Sequence, residues 1–253
     1  MRKRTYVGGV VLGFLALGGG AYGVSRKKVS EEQTAAVVGR QGELDRLMQD
    51  PVFREFMPFV DRVVYDEQFD ALHAWYQGRA VGEKREQWNE YAKSCAGLLG
   101  AGTIAVTEPV DGRYFQGSKA VIFVSRNLFD SPLIATEGDK KAILVHECLD
   151  GVVFAKGFFF APSESACLEA LLGRKGISRE VYSDVSFVRA MREVAVDYGV
   201  QFELNHGAFK PSDSVRAWFE AHAKENRQVL EKYVAGSGER AYLAGAMLRS
   251  TQR

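Results

Sequence analysis

Hydrophobic positions follow three different rhythms along the chain. Residues 6–24 (YVGGVVLGFLALGGGAYGV) carry no charge and are bracketed by MRKR and RKK. From residue 30 to about 98 the apolar positions recur at helical spacing, beginning at Ser30, where Glu31 and Glu32 supply acidic residues to a first turn. Pro51 is placed to open a further helix, with Val52, Phe53, Phe56, Met57, Phe59, Val60, Val63 and Val64 as its apolar face. Gly78 and Gly82 mark the next break, and Trp75, Tyr76, Trp88 and Tyr91 read as an aromatic core stripe. The rhythm changes at Gly100. Residues 103–107 (TIAVT) and 120–124 (AVIFV) are short β-branched runs separated by turn-rich sequence, which predicts a hairpin or small sheet. Helical spacing returns at about 138 and predicts helices over 139–156, 163–173, 178–199, 213–234 and 238–249.

These elements predict a mostly helical α+β fold in which a small β-hairpin or sheet packs on the 139–156 helix. The chain divides into an N-terminal segment (1–28), a helical region (29–99) and a domain with C-terminal helices (100–253). At about 1.5 Å per residue, the 6–24 run can just span a hydrocarbon core. Its layout fits an uncleaved signal-anchor, a cleaved signal peptide ending near Gly19-Gly20-Ala21, or a buried helix. The first two place the body of the protein outside the cytoplasm, tethered to the membrane as a single-pass protein or secreted into the periplasm.

Charge narrows the partners. Lys and Arg number 33 against 32 Asp and Glu, a net charge of +1, so no global field favours nucleic acid. The three cysteines, Cys95, Cys148 and Cys167, are too widely spaced for a CxxC metal knuckle. The sequence has no G-x-S-x-G elbow, no phosphate loop and no G-x-G-x-x-G following a strand.

One stretch carries chemistry: LVHECLDG, residues 144–151. On a helix, His146 and Asp150 share a face one turn apart, and Glu147 lies about 100° round from His146. Ile143, Leu144, Val145, Leu149, Val152 and Val153 make most of the remaining circumference apolar. A polar trio on a buried helix must be paired or bound to metal. Cys148 points away from His146, which argues against a cysteine nucleophile.

This stretch resembles the active helix of the zincin metallopeptidases, whose HExxH motif binds zinc through two histidines and activates water through the glutamate. His146 and Glu147 match; Asp150 stands where the second histidine is expected. The likeness extends upstream through VIFVSRNLFDSP (121–132) and KKAILV (140–145), and downstream through PSESACLE (162–169). In the glutamate-ligand subgroup that downstream helix supplies the third ligand, here Glu164, with Glu169 in reserve. The resemblance covers residues 119 to about 173. It implies a metal-dependent peptidase of the cell envelope with a peptide or protein substrate, Zn2+ or another divalent ion held by His146, Asp150 and Glu164, and Glu147 as general base. Aspartate can bind zinc at about 2.0–2.2 Å, but its shorter side chain leaves a second outcome open. In that outcome Asp150 is a paired carboxylate in a metal-free descendant that serves as a protein-binding module at the membrane. His206, in the FELNHGAF loop, is a candidate for holding a transition-state oxyanion. His73 and His222 lie on helices without a metal-binding partner at ligand spacing and read as structural or solvated.

Overall fold

Strand β1 (Val60–Tyr65) runs through a segment whose spacing predicts a helix. Pro51 opens only a 3-10 turn, Pro51–Phe53. Pro58 then denies a helix interior one N–H and crowds the preceding turn, at a cost of about 3 kcal/mol. Beyond it Val60, Val63, Val64 and Tyr65 are the residue types that favour an extended chain. The structure, a computed structural model, describes residues 31–82, 85–110, 119–155 and 179–251. The 6–24 run, the helix expected at 163–173, and Glu164, Cys167 and Glu169 lie outside the described residues. Among the described residues no helix is long and apolar enough to cross a membrane.

The described residues are otherwise mostly helical with one three-stranded sheet, as the hydrophobic rhythm predicts. The chain divides into two compact units. One comprises Met1–Pro51, Arg62–Glu108 and Val121–Ser131; the other comprises Val52–Asp61, Pro109–Ala120 and Pro132–Arg253.

The first unit holds helices α1 (Glu31–Met48), α2 (Asp70–Arg79), α3 (Arg85–Gly100) and α4 (Asn127–Asp130), with most of the sheet. Strands β2 (Ala105–Pro109) and β3 (Ala120–Val124) are buried throughout, and the strand order is β1-β3-β2. Ser125 N–H donates to Ile104 O and Val110 N–H to Lys119 O, both at 2.8 Å, so β2 and β3 are antiparallel. Ala120 N–H donates to Phe59 O and Asp66 N–H to Val124 O, both at 2.8 Å, which runs β1 parallel to β3. Phe69, Leu72, Trp75, Tyr76, Val106 and Phe123 form this unit's core, with Trp88 packed against it. Just beyond β1, Asp66 accepts N–H groups of Ala71 (3.3 Å) and Leu72 (3.2 Å) and so ties off the first turn of α2.

The second unit is built from α5 (Glu137–Ala155), α6 (Arg179–Ser183), α7 (Val185–Asn205), α8 (Asp213–Val234) and α9 (Glu239–Ser250). Helix α7 packs against α5, α8 and α9. Val188, Met191 and Val194 of α7 join Leu230, Leu243 and Met247 in one apolar cluster. Helix α5 begins with a reciprocal cap: Asp139 N–H donates to Thr136 Oγ1 (3.1 Å), and Asp139 Oδ2 accepts Thr136 N–H (2.9 Å). The other Asp139 oxygen accepts the N–H of Ser212, the N-cap of α8, at 2.5 Å. One buried carboxylate thus ties the starts of α5 and α8 together. Gly138 makes this possible, since a Cβ there would lie 2.0 Å from the Lys210 carbonyl oxygen.

Candidate metal centre

The sequence makes α5 apolar on every side from Ala142 to Val145, and the helix is buried through His146, Glu147 and Cys148. Burial raises the Cys148 thiol far above its ordinary range, with the Glu147 charge adding to the effect, so this cysteine stays protonated. It belongs to the packing of α5, and Cys95 and Cys148 are both free thiols.

Opposite α5, helix α7 carries Arg192, Glu193 and Asp197 in a sequence otherwise dominated by Val, Ala, Met and Phe. All three are buried. Helices α5 and α7 approach closely where Gly199 faces Leu149, because a Cβ on Gly199 would stand 2.9 Å from the leucine Cδ1. That closeness brings polar side chains of the two helices together. His146 Nε2 lies 3.8 Å from Glu193 Oε2, and Arg192 Nε lies 3.3 Å from Asp150 Oδ1.

Helix α8 brings the third wall. Its Phe219 ring lies 5.9 Å from the His146 ring, and the His222 ring lies 5.8 Å from it. His222 Nδ1 is 2.9 Å from Asp197 Oδ1. A carboxylate oxygen accepts, so Nδ1–H is the donor and the lone pair is left on Nε2. Trp218 stacks on the same imidazole at 5.2 Å and 9°, fixing the ring plane.

The outcome is a cluster that the motif alone does not contain. His146, Glu193 and His222 each offer one donor atom, and these atoms all lie within 4.8 Å of one another. His146 Nε2 is buried and has no hydrogen-bond partner, an arrangement that costs free energy unless something else satisfies it. Two imidazoles and one carboxylate are a donor set that suits zinc, and the Asp197 hydrogen bond is of the kind that orients a ligating imidazole.

Electrostatics favour a cation at the centre. His146 is pushed up to about 9: burial opposes its protonation, but the hydrogen bond with Glu147 and the charges of Asp150, Glu147 and Glu193 outweigh that. Glu193 is pulled well below the usual carboxylate range; burial works against this, and Arg192, His146 and His222 overcome it. Asp150 is raised, chiefly by burial, against the pull of Arg192.

Compared with known proteins, the chain matches no family model, no curated protein and no solved structure. The zincin resemblance therefore rests on the residues quoted from the sequence.

The structure brings together some of the residues the sequence singles out and separates others. His146 and Glu147 stand side by side, with Nδ1 3.7 Å from Oε1. Asp150 is turned to Arg192 and is not among the three clustered donors. His206 caps α7; its Nδ1–H donates to Phe202 O at 2.8 Å and its ring lies 4.0 Å from that of Phe202. It lines a cleft of about 460 Å³ with Asp197, Tyr198 and Arg227 and is not among the clustered donors either. Glu193 and Asp197 are absent from the sequence reading, and His222 reads there as structural or solvated. The signal for Glu193 and Asp197 was the pair of carboxylates one turn apart on an apolar helix, which asks for buried partners just as the HExx stretch does.

Proposed function

We propose that the chain is a divalent-metal hydrolase whose ion is held by His146, Glu193 and His222. The observation that carries this reading is the buried Nε2 of His146, which has no hydrogen-bond partner and lies beside a second imidazole and a carboxylate. Zinc held by such a set lowers the pKa of water and polarises a carbonyl oxygen. Glu147, adjacent to His146 and buried, has the position of a general base. Asp197 orients His222 through its Nδ1, Trp218 stacks on the His222 ring, and Phe219 lies beside the His146 ring. Peptide bonds are the substrate class that the zincin resemblance supports. An envelope location, through the 6–24 segment, is supported by the apolar run and its basic flanks.

The Asp150–Arg192 pair favours a second reading. It places a buried cation next to Glu193, as a metal-free protein-binding descendant would have. Peptide cleavage by the zinc-loaded full chain, set beside Glu147→Gln, separates the two. The hydrolase reading predicts cleavage by the parent and its loss in Glu147→Gln with metal content retained. A zinc-loaded parent inert toward a broad peptide mixture would support the binding module.

A further inference from the structure

We propose that Asp150 is a positioning residue rather than a ligand, acting through Arg192 to aim the Glu193 carboxylate at the metal centre. This inference rests on the metal reading above. The two oxygens of Glu193 have different partners. Oε1 accepts from Arg192 Nε at 3.1 Å and from Arg192 Nη2, while Oε2 faces His146 Nε2 at 3.8 Å. Arg192 therefore determines which oxygen is turned toward the imidazoles.

Arg192 in turn needs an anchor. It is an α7 side chain beside the glutamate that follows it in sequence, and only 6% of its surface is exposed. Asp150 Oδ1, reaching from α5, stands 3.3 Å from Arg192 Nε. That nitrogen's hydrogen bond goes to Glu193, so Asp150 contributes charge and position and makes no directed bond through Oδ1. A guanidinium is a flat fork with fixed donor directions, and the Asp150 charge sits beside Nε, at the same edge that donates to Glu193.

Charge also fits. Glu147, Asp150, Glu193 and Asp197 are all buried, and Arg192 is the one lysine or arginine buried with them among the described residues of this unit. The excess of negative charge is what a divalent cation offsets. Without Asp150, the Arg192 charge would cancel more of the field that attracts the ion. An aspartate at the fifth motif position, where the zincin motif has its second histidine, then has a physical rationale. The second imidazole comes from α8, and the vacated motif position neutralises and steers the arginine that holds the carboxylate ligand.

Co2+ is the probe, since its visible bands report the ligand set independently of activity. It is titrated into the detergent-purified full chain, Asp150→Asn, Arg192→Gln, the double variant, and Asp150→Leu/Arg192→Leu. The last replaces the buried ion pair with apolar side chains and so provides a folded comparison if an unpaired charge unfolds the single variants. Asp150→Asn is expected to weaken Co2+ binding about 10–100-fold, the range found for groups that orient ligands, with band positions unchanged. In the Arg192→Gln background, Asp150→Asn is expected to add little, because both changes break one chain of contacts. The Leu/Leu pair is expected to keep the parent's bands at lower affinity. Altered bands in the Leu/Leu pair or in Asp150→Asn, or full additivity in the double variant, would make Asp150 a ligand and overturn the proposal. A folded parent that takes up no Co2+ overturns the metal reading itself, and this inference with it.

Discussion

The carboxylate of Asp139 accepts the backbone N–H of Ser212 at 2.5 Å, joining two helix starts that lie 73 residues apart in sequence. Seven residues beyond Asp139 is His146, and ten beyond Ser212 is His222. Helices α5 and α8 are thereby set in register where they leave the cap, and the two imidazoles arrive together two to three turns later.

Asp139→Ala should therefore destabilise the second unit by roughly 1–3 kcal/mol, through loss of the capping box and an unsatisfied Ser212 N–H. Burial raises the Asp139 carboxyl, but the hydrogen bonds from Ser212 and Thr136 outweigh it and leave it below its ordinary 3.8. A carboxyl lowered in the folded state contributes stability above its unfolded value, and the contribution disappears as pH falls through the folded one. Urea unfolding at pH 7 and pH 3, followed by Trp218 fluorescence, should show the parent losing stability with acid and Asp139→Ala losing less.

Gly138→Ala tests the same junction by sterics. Its Cβ would stand 2.0 Å from a backbone oxygen, which no rotamer change can relieve. The strain should cost about 1–3 kcal/mol or more, and metal affinity should fall with thermal stability, because α5 and α8 lose their common origin.

In the first unit the pH dependence has the opposite sign. Burial is the largest influence on Asp66 and pushes it up from 3.8 to about 6, against the N–H groups of Leu72 and Ala71. A carboxyl raised in the folded state binds more protons there than in the unfolded chain. Its contribution is present below about pH 4 and is lost as pH rises through 6. Thermal melts of this unit, read at Trp75 and Trp88, should fall between pH 4 and pH 7, and Asp66→Asn should flatten that slope.

Asp197→Asn should weaken metal binding about 10–100-fold without abolishing it, because it loosens His222 but removes no donor atom of the cluster. His222→Ala removes a donor and should cost far more. Isothermal titration with Zn2+ distinguishes the two.

Much of this fold is readable from local pattern. Helix α8 occupies the predicted 213–234 and β3 the predicted 120–124, because each has an unbroken period and a clear start. At residues 52–64 the helical spacing of the apolar positions is overridden by Pro58 and a valine-rich run, which give β1. At the site, His146 and Glu147 were legible because a polar pair on an apolar helix is a local anomaly. His222 was not, since its partner Asp197 lies 25 residues away on another helix and only tertiary packing joins them. Asp150 shows the same limit from the other side: its motif position suggested a ligand, while the residue it faces, Arg192, is 42 positions away.

The most direct measurement is the metal content of the full chain, purified and loaded with zinc, beside His222→Ala, Glu193→Gln and Asp150→Asn. The account predicts about one equivalent in the parent, little or none in His222→Ala and Glu193→Gln, and retained though weaker binding in Asp150→Asn. Zinc that survives His222→Ala but is lost entirely in Asp150→Asn would contradict it, restoring the motif aspartate as the ligand.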